Sequence, residues 1–297
     1  MRQKIMRKTF FLIFIALLIT VLPAGAQASK KKPADQSLLW SISGKGMAKP
    51  SFLFGTIHLI CATDYIWTSK MKKSLTASDK VCFEMDLDNH EVMLAAANGF
   101  MDTSGKQLKD YFTPAQYKLL KKFVKDSIGM DVGMLQMMKP VALESIISMK
   151  VTDCANPISY EDSIMRSAKS KHKEIMGLED PSEQIGVLAS LPADSVVKEV
   201  LDDIGNFNKS KEDYRAMVKA YRRQELPELY RIITSSGSLG DEMDAFLDDR
   251  NKKWIPRMQE KMGRSSVFFA VGAGHLLGDN GVINLLRKEG YTVEAVK

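Results

Sequence analysis

Two apolar runs far apart in the chain each end in a glycine that is followed three residues later by a histidine. The first run reads SFLFGTIHLI over residues 51–60, and the second reads VFFAVGAGHLL over residues 267–277. Short apolar runs bounded by glycine are typical of buried strands, so each histidine is expected at the C-terminal end of a strand. Ligands bind at that end in open α/β sheets. Because the chain has only four histidines, the matching contexts of His58 and His275 favour one shared site.

Acidic residues end two further strand-like runs. Residues 80–86 read KVCFEMD and residues 173–179 read KEIMGLE, which places Glu84 and Glu179 among apolar neighbours. A buried carboxylate is costly unless it is paired or binds a metal ion. The set of His58, His275 and Glu84 therefore indicates a divalent-metal site or a general acid/base site. The alternative stays open that each histidine is structural, since no tight spacing such as His-Glu-x-x-His is present.

The order of predicted elements indicates an α/β fold. Strands are predicted over 37–43, 52–55, 80–86, 173–179, 265–271 and 290–296. Helices are predicted over 69–78, from Thr113-Pro114, over 161–171, through most of 182–261 and over 280–289. We expect a central mixed or parallel β-sheet built from the N- and C-terminal segments, with a large helical middle region. The expected organisation is a single domain over residues 37–297 with a helical insert at about 91–150.

The first 26 residues have the pattern of a signal peptide. Basic residues occupy four of the first eight positions, and the apolar run FFLIFIALLITVL follows over residues 10–22. This run is shorter than the roughly 20 residues that a membrane-spanning helix needs, and small residues suited to cleavage follow it. We expect residues 27–36 to form a flexible basic linker and the protein to be periplasmic or secreted. An uncleaved N-terminal anchor is the alternative; after cleavage no stable membrane insertion is expected.

The charge balance gives little support to a nucleic-acid partner. The chain has 42 basic and 36 acidic residues, and four of the basic residues but no acidic ones lie in residues 1–26. The remaining chain therefore carries a net charge of +2. Basic patches interleaved with aromatic residues, which are typical of nucleic-acid binding, are not found in the sequence.

The three cysteines permit at most one disulfide within the chain. Export to an oxidising compartment makes such a bond permissible. Cys82 lies within a predicted strand and is expected to be a buried free thiol. Cys61 and Cys154 lie in loop-like stretches and are the pair predicted to form a bridge, while three reduced thiols remain the alternative.

Three further features have a structural and a functional interpretation. His90 lies among acidic and polar residues and His172 in a basic run, so both are predicted to be non-catalytic. The methionines at 130, 134, 137 and 138 are interpreted as core or cleft wall, with a peptide-binding surface as the alternative.

Arg250 lies in the run DDRNKKW over residues 248–254. The favoured interpretation is a surface helix with local ion pairs and a core Trp254; the alternative is that Arg250 binds a carboxylate or stabilises developing negative charge.

Taken together, these segments resemble the TraB/GumN family, which also includes the Tiki extracellular proteases and the pheromone-shutdown proteins. The resemblance covers nearly all of the chain after the signal peptide. It rests on Leu39-Trp40, the segment FLFGTIHL over 52–59, Glu84, Gly177-Leu178-Glu179, Arg250-Asn251-x-x-Trp254, and GAGHL over 272–276 with Gly278 and Gly281.

The resemblance implies one site formed by the paired Gly-x-x-His motifs and acidic residues, similar to a divalent-metal-dependent peptidase. Mn²⁺ or Co²⁺ is the favoured ion and Zn²⁺ is possible. His58, His275 and Glu84 would be the central set, with Glu84 as a ligand or as the general base. Glu161, where relatives often carry Asp, and Glu179 would be second-tier acids, and Arg250 would face the site.

We therefore expect an exported metal-dependent hydrolase, most specifically a peptidase that uses metal-activated water on a peptide or protein substrate. The alternative is a non-catalytic extracytoplasmic protein that binds a peptide or another ligand in the same cleft.

Overall fold

Four adjacent parallel strands, beginning at one edge, make up most of a six-stranded mixed sheet. The computed structural model describes residues 36–235 and 240–296, so the predicted signal peptide and nearly all of the linker lie outside it. The strands are β1 Leu39–Ser43, β2 Ser51–Thr56, β3 Leu59–Cys61, β4 Lys80–Phe83, β5 Pro157–Ser159, β6 Glu174–Gly177, β7 Val267–Gly272 and β8 Thr292–Ala295. The order in the large sheet is β6-β4-β7-β2-β1-β8. Strands β6, β4, β7 and β2 run parallel, whereas β1 is antiparallel to both β2 and β8.

Helices fill most of the connections between these strands. They are α1 Ser69–Ala77, α2 His90–Gly99, α3 Pro114–Phe123, α4 Pro140–Lys150, α5 Tyr160–Lys169, α6 Pro181–Ser190, α7 Ala193–Gly205, α8 Phe207–Arg222, α9 Leu226–Ser235, α10 Gly240–Arg264 and α11 Val282–Lys288. The predicted start of α3 is confirmed: Thr113 is the N-cap and accepts from the Gln116 N–H at 3.4 Å, and Pro114 opens the first turn. The predicted α/β class with a mixed sheet is likewise confirmed.

Two hydrophobic clusters account for the packing of the described residues. The larger surrounds the six-stranded sheet and contains Trp40, Phe54, Phe268 and Trp254, each fully buried. The smaller joins helices of the middle region, including Leu120 of α3, to α7. The larger cluster therefore supports the sheet edge where the motif residues lie.

A small two-stranded sheet lies beside the large one and was not predicted. β3 pairs antiparallel with β5, so that Leu59 is opposite Ser159 and Cys61 is opposite Pro157. The predicted disulfide is confirmed: Cys61 and Cys154 are bonded, with their Cα atoms 5.9 Å apart. Cys82 is a buried free thiol, as predicted. A strand of three residues is too short to be recognised from alternation in the sequence. The strands β3 and β5 are recognised in the structure by their pairing, beside the disulfide.

Two predicted strands are shorter than their apolar runs. β4 ends at Phe83 and β6 ends at Gly177, so Glu84 and Glu179 lie just beyond the strands. Their backbones still meet, because the Leu178 and Glu179 N–H groups donate to the Glu84 carbonyl at 3.0 and 2.9 Å. Within the two described ranges, no helix has the length and apolar character needed to cross a membrane.

Candidate functional site

The parallel strands bring four predicted site residues to one edge of the sheet. His58 follows β2, Glu84 follows β4, Glu179 follows β6, and His275 ends the short 3-10 turn after β7. Since these strands are neighbours and run parallel, their C-terminal ends lie on the same side. This edge is where α/β folds place ligand sites.

The two Gly-x-x-His turns pack directly against each other. Thr56 pairs with Gly272 and Gly55 with Val271 across the β2–β7 ladder. A Cβ atom added to Gly55 would lie 2.6 Å from the Cδ1 atom of Leu276 and 3.2 Å from the Cα atom of Ala273. A glycine is therefore required at the first turn by close approach to the second turn.

His275 is buried, neutral and fixed in one orientation. Its Nδ1 atom lies 2.7 Å from the Asn251 Oδ1 atom, and its ring packs against Trp254 at a tilt of 37° with the centroids 4.3 Å apart. The Asn251 amide nitrogen donates to the Asn280 and His275 carbonyls, which identifies Oδ1 as the acceptor and assigns the ring proton to Nδ1. Burial lowers the pKa of His275 to about 3. Its Nε2 lone pair is therefore available to a ligand or a donor.

Glu84 is held as a carboxylate by three donors. The Gly272 N–H donates to Oε1 at 2.8 Å, and Oε2 accepts from Arg250 Nη2 at 2.6 Å and from Gln184 Nε2 at 3.3 Å. Burial opposes ionisation, but the neighbouring basic side chains of His275, Arg250 and His58, together with the Gly272 N–H, outweigh it and lower the pKa of Glu84. The carboxylate is thus ionised at neutral pH.

Arg250 is the centre of this network, and the favoured surface interpretation of Arg250 is wrong. Its side chain is 4% exposed; Nε and Nη2 donate to the Glu179 carboxylate, and Nη1 lies 3.2 Å from the Nε2 atom of His275. Glu179 also accepts from Trp254 Nε1 at 3.0 Å. The charged run DDRNKKW suggests an exposed helix, yet α10 turns Arg250 and Trp254 inward at the sheet edge. Trp254 is in the core as predicted.

His58 and Glu161 form a second pair at the mouth of the site. His58 Nδ1 lies 3.3 Å from Glu161 Oε1, which also accepts from Thr56 Oγ1 at 2.7 Å, while Ser159 Oγ donates to Oε2. The hydrogen bond to the Glu161 carboxylate raises the pKa of His58. The imidazole is 76% exposed, so water screens this pair far more than the buried pairs around Arg250.

The donor types suit a divalent ion, although their arrangement brings only two of the three predicted ligands together. A neutral imidazole and a carboxylate are common ligands of Mn²⁺, Co²⁺ and Zn²⁺, and His275 Nε2 lies 3.9 Å from Glu84 Oε1. His58 is engaged with Glu161 instead. Across the described part of the chain, no group of three His, Cys, Asp or Glu side chains is placed to hold a metal. The Arg250 guanidinium contacts both converging donors and supplies a positive charge there.

Three residues of the site were assigned no role from the sequence. Asn251 orients His275, Gln184 donates to Glu84, and Thr56 donates to Glu161. Asn251 adjoins Arg250, and Thr56 adjoins the first motif glycine, so proximity to the motifs was a usable signal. Gln184 lies in α6, and no sequence pattern distinguishes it.

The remaining candidates lie away from this network. His90 and His172 are exposed, and neither is among the contacts of the site. Met130 and Met138 pack against the smaller hydrophobic cluster, as the core interpretation predicts. Met134 is 73% exposed and Met137 is 56% exposed, so that interpretation is wrong for these two.

The strand-end residues and the buried Arg–Glu–His network define an α/β protein with a polar site at the C-terminal edge of its sheet. The chain belongs to the TraB/PrgY/gumN family, whose sequence model matches residues 38–295.

Curated relatives of the chain are named as metalloproteases. It is 25% identical over 323 residues to a protein of Nematostella vectensis named Metalloprotease TIKI homolog, covering 88% of this chain and 67% of that protein. It is 23% identical to Metalloprotease TIKI1 of Danio rerio, covering 92% of this chain and 65% of the relative. With Metalloprotease TIKI1 of Homo sapiens the identity is 23%, over 95% of this chain and 68% of the relative. The chain thus spans about two thirds of the length of these relatives. No solved structure matches the chain significantly.

Proposed function

We propose that this protein is an exported hydrolase, most specifically a metal-dependent peptidase acting on peptide or protein substrates. The observation that carries the proposal is the pairing of neutral His275 with ionised Glu84 at one sheet edge. The names of the relatives support the reaction class. The signal-peptide pattern of residues 1–26 supports a periplasmic or secreted location.

His58, His275 and Glu84 would hold the divalent ion, with Mn²⁺ or Co²⁺ favoured and Zn²⁺ possible. When bound, such an ion lowers the pKa of a water molecule and polarises a carbonyl group. The protein keeps His275 neutral through burial and orients its Nε2 lone pair through Asn251. A carboxylate with a lowered pKa suits Glu84 to be a ligand, and its ionised state also lets it accept a proton as general base.

The remaining acids and Arg250 would act around this centre. Arg250 lies within hydrogen-bond distance of Glu84 and His275, where its charge would stabilise a developing oxyanion or orient a substrate carboxylate. Glu179 holds the guanidinium through Nε and Nη2. Glu161 would hold His58 at the mouth of the site.

A non-catalytic ligand-binding protein is the second candidate, and one specific observation favours it. Arg250 already joins Glu84, Glu179 and His275 into a bonded network of buried groups, which is the condition for a stable site without a metal ion. Exposed Met134 and Met137 would suit an apolar ligand surface in such a protein.

Metal titration with matched histidine variants tests the proposal. We expect the purified protein to bind about one Mn²⁺ per chain by calorimetry, and H58A/H275A to bind none while keeping its circular dichroism spectrum. The matched control is H90Q/H172N, which changes the two histidines outside the site; Asn suits position 172 because its φ of 53° is left-handed. This control should bind Mn²⁺ as the unmodified protein does.

Activity is tested on the same proteins with denatured casein and a mixed peptide library, reading cleavage by mass spectrometry. Cleavage that chelator abolishes and Mn²⁺ restores is the expected result. Peptide binding that is stoichiometric and indifferent to chelator, in a protein that binds no metal, would overturn the peptidase proposal in favour of the binding protein.

A further inference from the structure

The two motif histidines are held in different ways. The His275 side chain contacts Asn251, Arg250 and Trp254 and is buried. The His58 side chain is 76% exposed and pairs with Glu161. An exposed imidazole with so few contacts depends on its backbone for its position, since side-chain packing does little to restrain it.

Two tyrosines of α8 bind the backbone on either side of His58. The Tyr221 hydroxyl donates to the Gly55 carbonyl at 2.8 Å, three residues before His58, and the Tyr214 hydroxyl donates to the Leu59 carbonyl at 2.6 Å, one residue after it. Tyr221 is fully buried.

The spacing of the two tyrosines matches the turn that they contact. They are seven positions apart, so they lie on one face of α8, about 10.5 Å apart along the helix axis. Gly55 and Leu59 are four positions apart, and a chain segment of that length can span at most about 14 Å. One rigid helix face can therefore bind both ends of the first Gly-x-x-His turn.

We propose that Tyr214 and Tyr221 are positioning residues that set the backbone of the first Gly-x-x-His turn and thereby the place of His58 in the site. Their hydroxyls bind main-chain carbonyls rather than the side chains of His58, His275 or Glu84. They fix the turn, and the turn carries the imidazole to Glu161 and towards the strand ends of β4 and β7. The consequence for metal binding and catalysis rests on the proposed function, whereas the consequence for His58 itself does not.

The second Gly-x-x-His turn is held by a side chain of α10 instead of by tyrosine hydroxyls. Asn251 binds both the Nδ1 atom and the backbone carbonyl of His275, so one residue fixes the ring and the turn together. Helix α10 thus positions His275 through side-chain contacts, and α8 positions His58 through main-chain contacts.

The test uses NMR of the intact protein labelled at histidine, where four histidines give a simple spectrum. His58 is assigned from H58A. In Y214F and Y221F, which keep the ring and remove the hydroxyl, we expect the imidazole resonances of His58 to shift and broaden. Those of His90, His172 and His275 should stay in place. Y117F is the matched control, because the Tyr117 hydroxyl accepts a hydrogen bond from Gln136 at 2.9 Å in a separate helical region.

Metal affinity supplies the second readout. Since partners that orient a ligand typically change metal affinity by about 10–100-fold, we expect Mn²⁺ binding about tenfold weaker in Y214F/Y221F and unchanged in Y117F. If His58 moves but the unmodified protein binds no metal, the positioning role stands and the proposed function falls. If the His58 resonances of folded variants match those of the unmodified protein, the positioning role is overturned. Y214F alone, at the half-buried tyrosine, keeps this test decisive should the double variant fail to fold.

Discussion

Arg250 donates a 2.6 Å hydrogen bond from Nη2 to the Oε2 atom of Glu84, and the two side chains are 4% and 13% exposed. The same guanidinium binds Glu179, whose side chain is 2% exposed. Two buried carboxylates thus share one buried cation. Each member of such a group depends on the others, because removing one member leaves an uncompensated buried charge.

Replacing Arg250 by Met should destabilise the protein strongly at neutral pH. We expect a loss of about 3–5 kcal/mol in the free energy of unfolding, the usual effect of breaking a buried ion pair. Arg250→Lys should also lose stability, since one ammonium cannot reproduce donation from Nε and Nη2 to two carboxylates. The measurement is urea unfolding followed by circular dichroism.

Arg231→Met is the control for the loss of an arginine ion pair. Arg231 binds Glu228 three residues away on an exposed helix surface, where such pairs contribute about 0–1 kcal/mol. Equal destabilisation of the Arg250 and Arg231 variants would contradict the central role of the buried network.

Replacing Glu161 by Gln should lower the pKa of His58. The carboxylate stabilises the imidazolium through its hydrogen bond, and a neutral amide cannot, so the pKa should return towards the ordinary value of about 6.5. The raised pKa of His58 means that the His58–Glu161 pair stabilises the fold below pH about 6.5 and loses this contribution as pH rises through the raised pKa. The pair also loses it in acid, as pH falls through the lowered pKa of Glu161. Histidine NMR titrations of both proteins measure the change.

Glu161→Asp separates charge from side-chain length in that experiment. It keeps the negative charge, so part of the upward shift in the pKa of His58 should remain. A pKa of His58 that is the same in the unmodified protein and the Gln variant would show that Glu161 does not control its protonation.

The strand-end residues could be predicted because their signal is local, whereas the Arg250 network could not. An apolar run followed by Gly-x-x-His specifies both a buried strand and the residue beyond it, and parallel pairing then brings His275 and Glu84 to one edge. The run around Arg250 is locally indistinguishable from an exposed charged helix, since five of its seven residues are charged. Only the packing of α10 against the sheet edge decides which side chains turn inward.

The small β3–β5 sheet was missed for a related reason. Its strands have three residues each, fewer than the four to eight over which alternation is informative. The disulfide was predictable from the cysteine count and loop context, but its structural consequence was not. His58 lies just before β3 and Glu161 just after β5, so the bond and the Leu59–Ser159 register place the two side chains beside each other.

Removing this disulfide should lower stability. Cys61 and Cys154 are 93 positions apart, and cross-links that close long loops typically contribute about 2–4 kcal/mol through the entropy of the unfolded chain. We expect C61S/C154S to unfold at lower urea concentration than the unmodified protein. Adding dithiothreitol should lower the urea midpoint of the unmodified protein and leave that of the variant unchanged. A midpoint in the unmodified protein that is insensitive to dithiothreitol would contradict this expectation.

Glu144 of α4 is a half-buried acid outside the proposed site. Its Oε2 atom is buried and meets no donor among the described residues, while Ser148 Oγ donates to Oε1 at 3.3 Å. Burial and the nearby negative charges of Asp203 and Glu199 raise the pKa of Glu144 to about 8. Protonation of Glu144 removes the repulsion between its carboxylate and that of Asp203, because the neutral carboxyl group can then donate to Asp203.

This raised pKa predicts that the protein loses stability as pH rises from about 4.5 to about 8. In that window the folded state keeps a proton on Glu144 that the unfolded state has released, so the free energy of unfolding falls with increasing pH and levels off above about 8. Glu144→Gln keeps a neutral donor at this position. At pH 9 the variant should therefore be more stable than the unmodified protein by roughly 1–3 kcal/mol, and this gain should vanish near pH 4.5. The figure is lower than the full shift would give at roughly 1.4 kcal/mol per pKa unit, because solvent screens part of the interaction.

Urea unfolding at pH 5, 7 and 9 measures the difference, with Glu212→Gln at an exposed position of α8 as the control. A constant difference between the Glu144 variant and the unmodified protein across these pH values would rule out Glu144 as the titrating group, because only a group that changes protonation within the window gives a pH-dependent gain.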